Sequence, residues 1–332
     1  MTDDRGEQLA RLIEEAPEDL EAFRVYADWL EEQHDPRATL IRLQMTRARL
    51  TDRTKLDHLE TRLAEYFEQH REHFLGPLAK VMPTAKSSRQ ARDSAPKLEW
   101  RNGFIYKANL ARIKRMPQHQ VLDHLLAHPS GRFLVSLGGI WAEDPAALVA
   151  VLAARAPRSL RRLDITGTDG RRVVGIEPLW PRLELLEEIE IRTVAGLGDI
   201  VLPSVRCAHI DISKPLLASL ANARWPKLEQ LRLRVWPETA TAEELIAVFA
   251  NELPALRAVE LDLDHPTAAV LPMLSGLPVG RQLAELDVRI SNDIVEALER
   301  CTFQLEVLRI HGHHYPDPQP RLQHLAKRIE VV

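Results

Sequence analysis

Cysteine is scarce in this chain: Cys207 and Cys301 are the only two in 332 residues. Two thiols cannot supply the disulfide framework of a small secreted fold, and a chain this long with 45% hydrophobic residues can bury a sizeable core without one. A basic excess is also missing. The formal net charge is -4, which excludes a protein that grips nucleic acid through its overall charge. No apolar run approaches the ~18 residues of a membrane-spanning helix, and the N-terminal MTDDRGEQLARLIEEA has neither the basic nor the apolar region of a secretory signal. These absences lead to the expectation of a soluble, cytoplasmic protein with reduced cysteines. Catalytic signatures are missing too. G-x-S-x-G, G-x-x-x-x-G-K-[ST], H-E-x-x-H and C-x-x-C do not occur, so neither an enzymatic activity nor a cofactor is expected.

What the chain has instead is a six-residue phrase, apolar at its first, fourth and sixth positions. It returns as LRRLDI from Leu160, LEEIEI from Leu186, CAHIDI from Cys207, LEQLRL from Leu228, LRAVEL from Leu256, LAELDV from Leu283 and LEVLRI from Leu305. First positions lie 26, 21, 21, 28, 27 and 22 residues apart, the span of a short strand plus a helical return. FLVSLGGI, from Phe133, reads as an imperfect earlier copy. A strand this short cannot bury an apolar face alone, so the copies must stack with their strands parallel. In this register Cys207 is an apolar first position and belongs to the core. Asp144-Pro145, Thr241-x-x-Glu244 and Ser291 open helical returns as N-caps.

The N-terminal region has a different period. Leu9, Leu12 and Ile13, then Leu20, Phe23, Ala27 and Leu30, recur at helical steps, and Asp35-Pro36 opens a third helix. A fourth runs from about Asp52 to Phe74, ending near Gly76-Pro77. Residues 1–35 hold twelve acids against three arginines, whereas residues 80–115 hold ten Lys/Arg against Asp93 and Glu99. The stretch MPTAKSSRQARDSAPK, Met82 to Lys97, has no large apolar residue after Met82 and reads as an exposed linker.

The string FRVYADWLEEQHDPRATLIRLQ, Phe23 to Gln44, resembles the repeat-companion domain, a helical N-terminal module of myxobacterial and planctomycete proteins often found beside leucine-rich repeats. The matching positions are Tyr26 to Glu32, then Asp35, Pro36 and Arg37, then Ile41, Leu43 and Gln44. His34 stands where that pattern has glycine, so it must tolerate whatever turn the loop needs. EWRNGFIYKANL, Glu99 to Leu110, is similar to the segment that leads such proteins into their repeats and reads as an entry hairpin or strand pair. Tyr26 and Trp29 share a helix face and are read as packing residues, with an Asp28–Arg37 ion pair holding the next turn. The resemblance implies an interaction role and no enzymatic activity.

The resulting architecture is an α/β chain: a small all-α domain over residues 1–81, a basic linker over 82–97, and a leucine-rich-repeat-like solenoid with a stacked parallel sheet over 98–332. One feature of leucine-rich repeats is absent, the asparagine near the ninth position, where this chain has Thr168, Val194, Pro215, Trp236, Asp264, Ser291 and His313. Trp180-Pro181, Trp225-Pro226 and Trp236-Pro237 fall in the returns and are read as core caps.

Stacking turns outward-facing positions into columns. The fifth positions are Asp164, Glu190, Asp211, Arg232, Glu260, Asp287 and Arg309; the seventh are Thr166, Arg192, Ser213, Arg234, Asp262, Arg289 and His311; the third include Arg162, Glu188, His209, Gln230 and Glu285. Asp164, Glu190 and Asp211 would be like-charge neighbours about 4.8 Å apart. The fifth column, with Arg192, Arg234 and Arg289, is the candidate surface for another protein's polar, partly basic segment, because extended repeat faces commonly bind. A second reading makes the chain a regulatory substrate or inhibitor of an enzyme, engaged through the basic linker. HGHHYPD, with His311, His313, His314 and Asp317, is a weak zinc pattern without reliable spacing, and no metal site is assigned.

Overall fold

The computed structural model describes residues 2–84, 87–89, 92, 95–110, 116–142, 144–167, 175–192, 196–212, 214–235, 240–262, 268–289, 291–312 and 319–332. It is a mixed α/β structure whose eleven strands are hydrogen-bonded in chain order, β1 to β11, in one sheet. The chain divides into two compact units, residues 1–163 and 164–332, each described in turn. Among the described residues no helix is long and apolar enough to cross a membrane.

The first unit begins with helices α1 (Thr2–Glu15), α2 (Leu20–Glu32), α3 (Arg37–Arg49), α4 (Arg53–Gln69) and the short α5 (Arg71–Leu75). Asp19 caps α2 through its side chain, and the far end closes by the left-handed route. The Asp35 N–H donates to the Leu30 carbonyl and the His34 N–H to Glu31, each at 2.9 Å, with His34 at φ 58°. That is the position where a helix end usually takes glycine. Tyr26 and Trp29 stack at 5.2 Å.

An antiparallel hairpin follows, β1 (Lys97–Arg101) and β2 (Phe104–Asn109), turning at Asn102-Gly103 with φ of 47° and 79°. Two successive positive φ values match the twist of a two-residue hairpin, which is why Asn-Gly serves. The Gly103 N–H donates to Gln44 Oε1 at 2.7 Å, and a Cβ there would come within 2.6 Å of Ile41 Cγ1. Only glycine lets the turn seat on α3. After α6 (Gln118–Ala127) come β3 (Ser136–Ala142) and α7 (Pro145–Arg155). Gly138-Gly139, which reads as a turn, lies inside β3. Phe104 and Phe133 meet Phe23 and Tyr26 in one aromatic core, with Phe104–Phe133 at 4.6 Å and Phe23–Phe133 at 5.7 Å, both edge-on.

Charge joins the same pieces. Arg132 pairs with Glu7 at 2.7 Å and Glu14 at 3.0 Å, and Arg161 donates to the Glu14 and Glu15 carbonyls that end α1. A cation there satisfies carbonyls that no helical N–H can reach. The Asp28–Arg37 pair does not form. Asp28 binds Arg42 at 2.9 Å, while buried Arg37 binds Asp35 at 2.7 Å, the His73 carbonyl and Ser130. Of the described residues between 82 and 97, those at 84, 88, 89, 92 and 97 are exposed, and contacts with the fold come at the two ends. Ala95 and Pro96 are buried, and Arg71 donates to the Met82 and Pro83 carbonyls at 2.9 and 3.2 Å. The compact units therefore divide at 163/164, because the helices share their core with the hairpin beyond that stretch.

The second unit takes the rest of β4 (Arg162–Gly167) and then β5 (Glu188–Arg192), β6 (Cys207–Ile212), β7 (Gln230–Val235), β8 (Ala258–Asp262), β9 (Glu285–Arg289), β10 (Leu305–His311) and β11 (Ala326–Val331). From β5 onward they pair in parallel. Alternate side chains are buried, as period-two strands with one covered face require. One carbonyl per repeat accepts two successive N–H groups of the next. Glu187 takes Arg206 and Cys207, Arg206 takes Glu229 and Gln230, Glu229 takes Arg257 and Ala258, Arg257 takes Ala284 and Glu285, and Ala284 takes Glu306 and Val307, all at 2.7–3.1 Å.

These contacts correct the third phrase. Its second position is Arg206, so the phrase is VRCAHI from Val205, with Val205 buried and Cys207 half-exposed beside Gln230 instead of in the core. A slip of two residues keeps every side chain on its face, so the in–out pattern cannot detect it. β11 is a further copy, AKRIEV, missed because alanine stands at its first position.

Asparagine at the ninth position is replaced by assorted donors in the returns, each bonding a carbonyl of a neighbouring return, the following one for Trp180 and the preceding one for the others. Trp180 Nε1 donates to Leu197 at 2.8 Å, Gln282 to Leu253 at 2.6 Å, Thr302 to Ser275 at 3.4 Å, and Asn251 to Ala223. Trp180 and Trp225 are buried caps as read, although Trp225 Nε1 has no described acceptor, while Trp236-Pro237 lies outside the described residues. The caps at Asp144, Thr241 and Ser291 form as the sequence indicates, Thr241–Glu244 reciprocally.

Two outcomes follow. Protease nicking between Thr84 and Arg92 is expected to leave both fragments co-eluting under native conditions and separating only in denaturant, because Phe23 and Tyr26 share a core with Phe104 and Phe133; independent elution would contradict that shared core. The His128 imidazole is pushed down to about 4 by burial, then by the Arg37 and His73 charges, with Asp35 opposing, and its Nδ1 lies 3.2 Å from the Ser130 N–H. The unfolded chain takes this proton near 6.5 but the folded one resists until about 4, so stability is full above pH 6.5 and falls as pH drops through that window. Urea titrations of His128→Gln should show a flatter profile there; an unchanged slope would remove His128 as its source.

Candidate functional site

The open face of the second unit's sheet is built by the side chains the pleat turns away from the core. With β6 in its observed register, one column runs Glu190, His209, Arg232, Glu260, Asp287, Arg309, Glu330. Beside it, the register pairs Asp211 with Arg234, Arg234 with Asp262, and Arg289 with His311. Asp211 therefore leaves the column of Glu190, and the like-charge stack of Asp164, Glu190 and Asp211 does not form. Its place is taken by alternation of sign, with Asp211 lying in the fields of both Arg234 and Arg192. Ser213 of the predicted column lies outside the described residues.

Direct pairs follow this alternation. Arg192 binds Glu190, Arg232 binds Glu260 at 2.9 Å, and Asp262 holds Arg234 at 3.1 Å and Arg289 at 3.3 Å. Arg309 bridges Glu285 at 2.6 Å and Glu330 at 2.9 Å, and His311 Nε2 lies 2.7 Å from Asp287. Glu260 and Asp287 are the like-charged neighbours in this register, and Arg232 and Arg309 stand on either side of them. Each half-exposed pair is worth about 0–1 kcal/mol, so the lattice is satisfied yet cheaply rearranged.

The face contains two adjoining hollows. The first, of about 80 Å³, is walled by Glu190, Arg192, His209, Asp211, Arg232 and Arg234 over Ile210. The second, of about 160 Å³, lies where the short Ala258 side chain sits among Gln230, Arg232, Glu260, Glu285, Asp287 and Arg309. The expected residues are thus brought together in two groups, with Arg232 and His209 shared. Arg289 and Asp164 lie outside both hollows, and Thr166 donates to Asp164 at 3.3 Å. Sequence reasoning missed His209, Asp262 and Glu285 as members. The two-residue slip of β6 put His209 in the wrong column, and the pairing role of Asp262 and Glu285 depends on arginines of other strands.

Asp211 differs from its neighbours. It is half-buried in the lining of the first hollow, and among the described residues its side chain has no ion pair or hydrogen bond, only the longer-range attraction of Arg234 and Arg192. Burial raises its carboxyl above the usual range, against the opposing effect of those arginines and with Glu190 adding to the rise. Such a carboxylate, whose charged form burial disfavours, is a candidate for recognition. Elsewhere, Cys301 is buried and its thiol is pushed up to about 12 by burial, so it is no nucleophile at neutral pH. Of the histidine-rich stretch, His311 is engaged with Asp287, while His313, His314 and Asp317 lie outside the described residues.

No family model matches the chain, and no curated protein matches it. Among solved structures it is similar to a Bacteroides fragilis protein, a structural genomics target, at 13% identity and a TM-score of 0.48, over 83% of each chain. A likeness of that size establishes neither fold nor role.

A raised carboxylate pKa means the folded state binds the proton more readily than the unfolded chain. The stability Asp211 contributes is then present at low pH and is lost as pH rises through its folded pKa. Asp211→Asn is therefore expected to match or exceed the wild type in urea midpoint at pH 7. A clearly lower midpoint would make Asp211 a structural ion-pair partner instead.

Proposed function

We propose that the protein is a non-enzymatic interaction protein, in which a leucine-rich-repeat-like solenoid presents its charged sheet face to a polar segment of another protein. The single observation that carries this is the register-locked lattice of alternating Arg and carboxylate side chains around two hollows. A rigid sheet holds those charges in place before binding, so a partner meets a fixed pattern at little ordering cost to this chain. Because each internal pair is worth about 1 kcal/mol or less, incoming charges can substitute for internal ones, and the pattern sets specificity more than affinity. The attraction is correspondingly sensitive to salt. The N-terminal module, by its resemblance to repeat-companion domains, is read as the companion of this array, and the proposed setting is a bacterial cytoplasm.

The test is affinity capture from the native host with the wild-type chain and with Glu190, Asp211 and Asp262 reversed to lysine. Specific partners are expected to be lost with the reversed chain and reduced when the wild type is washed at ~0.5 M salt, where screening shortens to a few ångströms. The same partners recovered with both chains would exclude this face.

A further inference from the structure

Away from the sheet face, the returns of the second unit enclose a groove of about 500 Å³. Its floor and walls are apolar: Trp180, Pro181, Leu185, Val201 and Pro203. It is preformed. Trp180 is 3% exposed and pinned through Nε1 to the Leu197 carbonyl at 2.8 Å, and the two prolines stiffen the walls. Val201 is 49% exposed, one of the few large apolar side chains the described surface leaves in water.

The rim carries Glu177, Glu184 and Asp199, with no lysine or arginine among the described lining residues. Glu177 is held in place by packing on Gly198, where φ is 58° and a Cβ would lie 2.0 Å from Glu177 Cγ. On the sheet face Glu190, Glu260, Asp262, Glu285 and Glu330 each have an arginine in contact. Here none of the three carboxylates has a hydrogen-bond or ion-pair partner among the described residues. An apolar trough ringed by unpaired negative charge is complementary to one chemistry, an apolar side chain flanked by cations.

We infer that this groove is a second docking site, separate from the sheet face, for an exposed segment of a partner protein in which a leucine-like side chain is flanked by lysine or arginine. The apolar residue enters between Trp180 and Val201, and the flanking cations meet Glu177, Glu184 and Asp199.

The probe is a labelled peptide, Ac-Leu-Arg-Leu-Lys-Leu-amide, titrated into the full chain by fluorescence anisotropy, with Ac-Leu-Glu-Leu-Glu-Leu-amide as its acidic counterpart. Saturable binding of the basic peptide alone is expected. The triple variant Glu177→Gln, Glu184→Gln, Asp199→Asn should weaken it about tenfold, the effect of losing three exposed charge contacts. Val201→Asp should weaken it as well, without disturbing a core position, and the sheet-face pair Glu190→Gln, Asp211→Asn should leave it unchanged. Equal binding by wild type and triple variant, or loss only in the sheet-face variant, would overturn the assignment. Self-association of the full chain that the triple variant abolishes would also overturn it, by making a second copy the occupant.

Discussion

One backbone contact governs the second unit: a carbonyl at the start of each strand that accepts the N–H groups of two successive residues in the next repeat. It recurs from Glu187 through Ala284 at 2.7–3.1 Å while side chains and return lengths change around it. Because it belongs to the main chain, it holds whether the residue is Glu187, Arg206 or Ala284. It sets which residue of each strand faces which of its neighbour, and so which side chains share a column. The apolar positions supply the driving force for stacking, but burial is nearly indifferent to a two-residue slip and cannot choose the register.

Once register is set, the chemistry of the open face follows. Asp211 beside Arg234, Arg232 beside Glu260 and Arg234 beside Asp262 turn a surface rich in charge into one that neutralises itself locally. Like charges at strand spacing would cost roughly 1 kcal/mol each in water, and opposite ones return a similar amount. In the groove beyond Trp180 the carboxylates of Glu177, Glu184 and Asp199 have no such pairing among the described residues. The two surfaces differ less in composition than in whether the fold places a cation within reach.

Much of the local structure was legible. The segment from Glu99 to Leu110 reads as a hairpin or strand pair, Thr241 and Glu244 as a capping box, and His34 as standing where glycine is usual, since each feature depends on residues within a few positions of one another. The apolar first, fourth and sixth positions marked strands and their buried face. What escaped was long-range. Arg37 pairs with Asp35, His73 and Ser130 instead of Asp28, because its side chain is enclosed by segments 36 and 93 residues away. Ala95 and Pro96 lie in a stretch that reads as a linker by composition yet are themselves buried, since alanine and proline bury as readily as they expose.

The sequence by itself determined the repeat, the face each strand buries and the caps that start its helices, because periodicity and capping are properties of neighbouring residues. Only the tertiary structure decided the columns. Whether His209 or Asp211 stands beside Glu190 depends on a hydrogen bond between main chains some twenty residues apart, and no side-chain pattern within either strand encodes it.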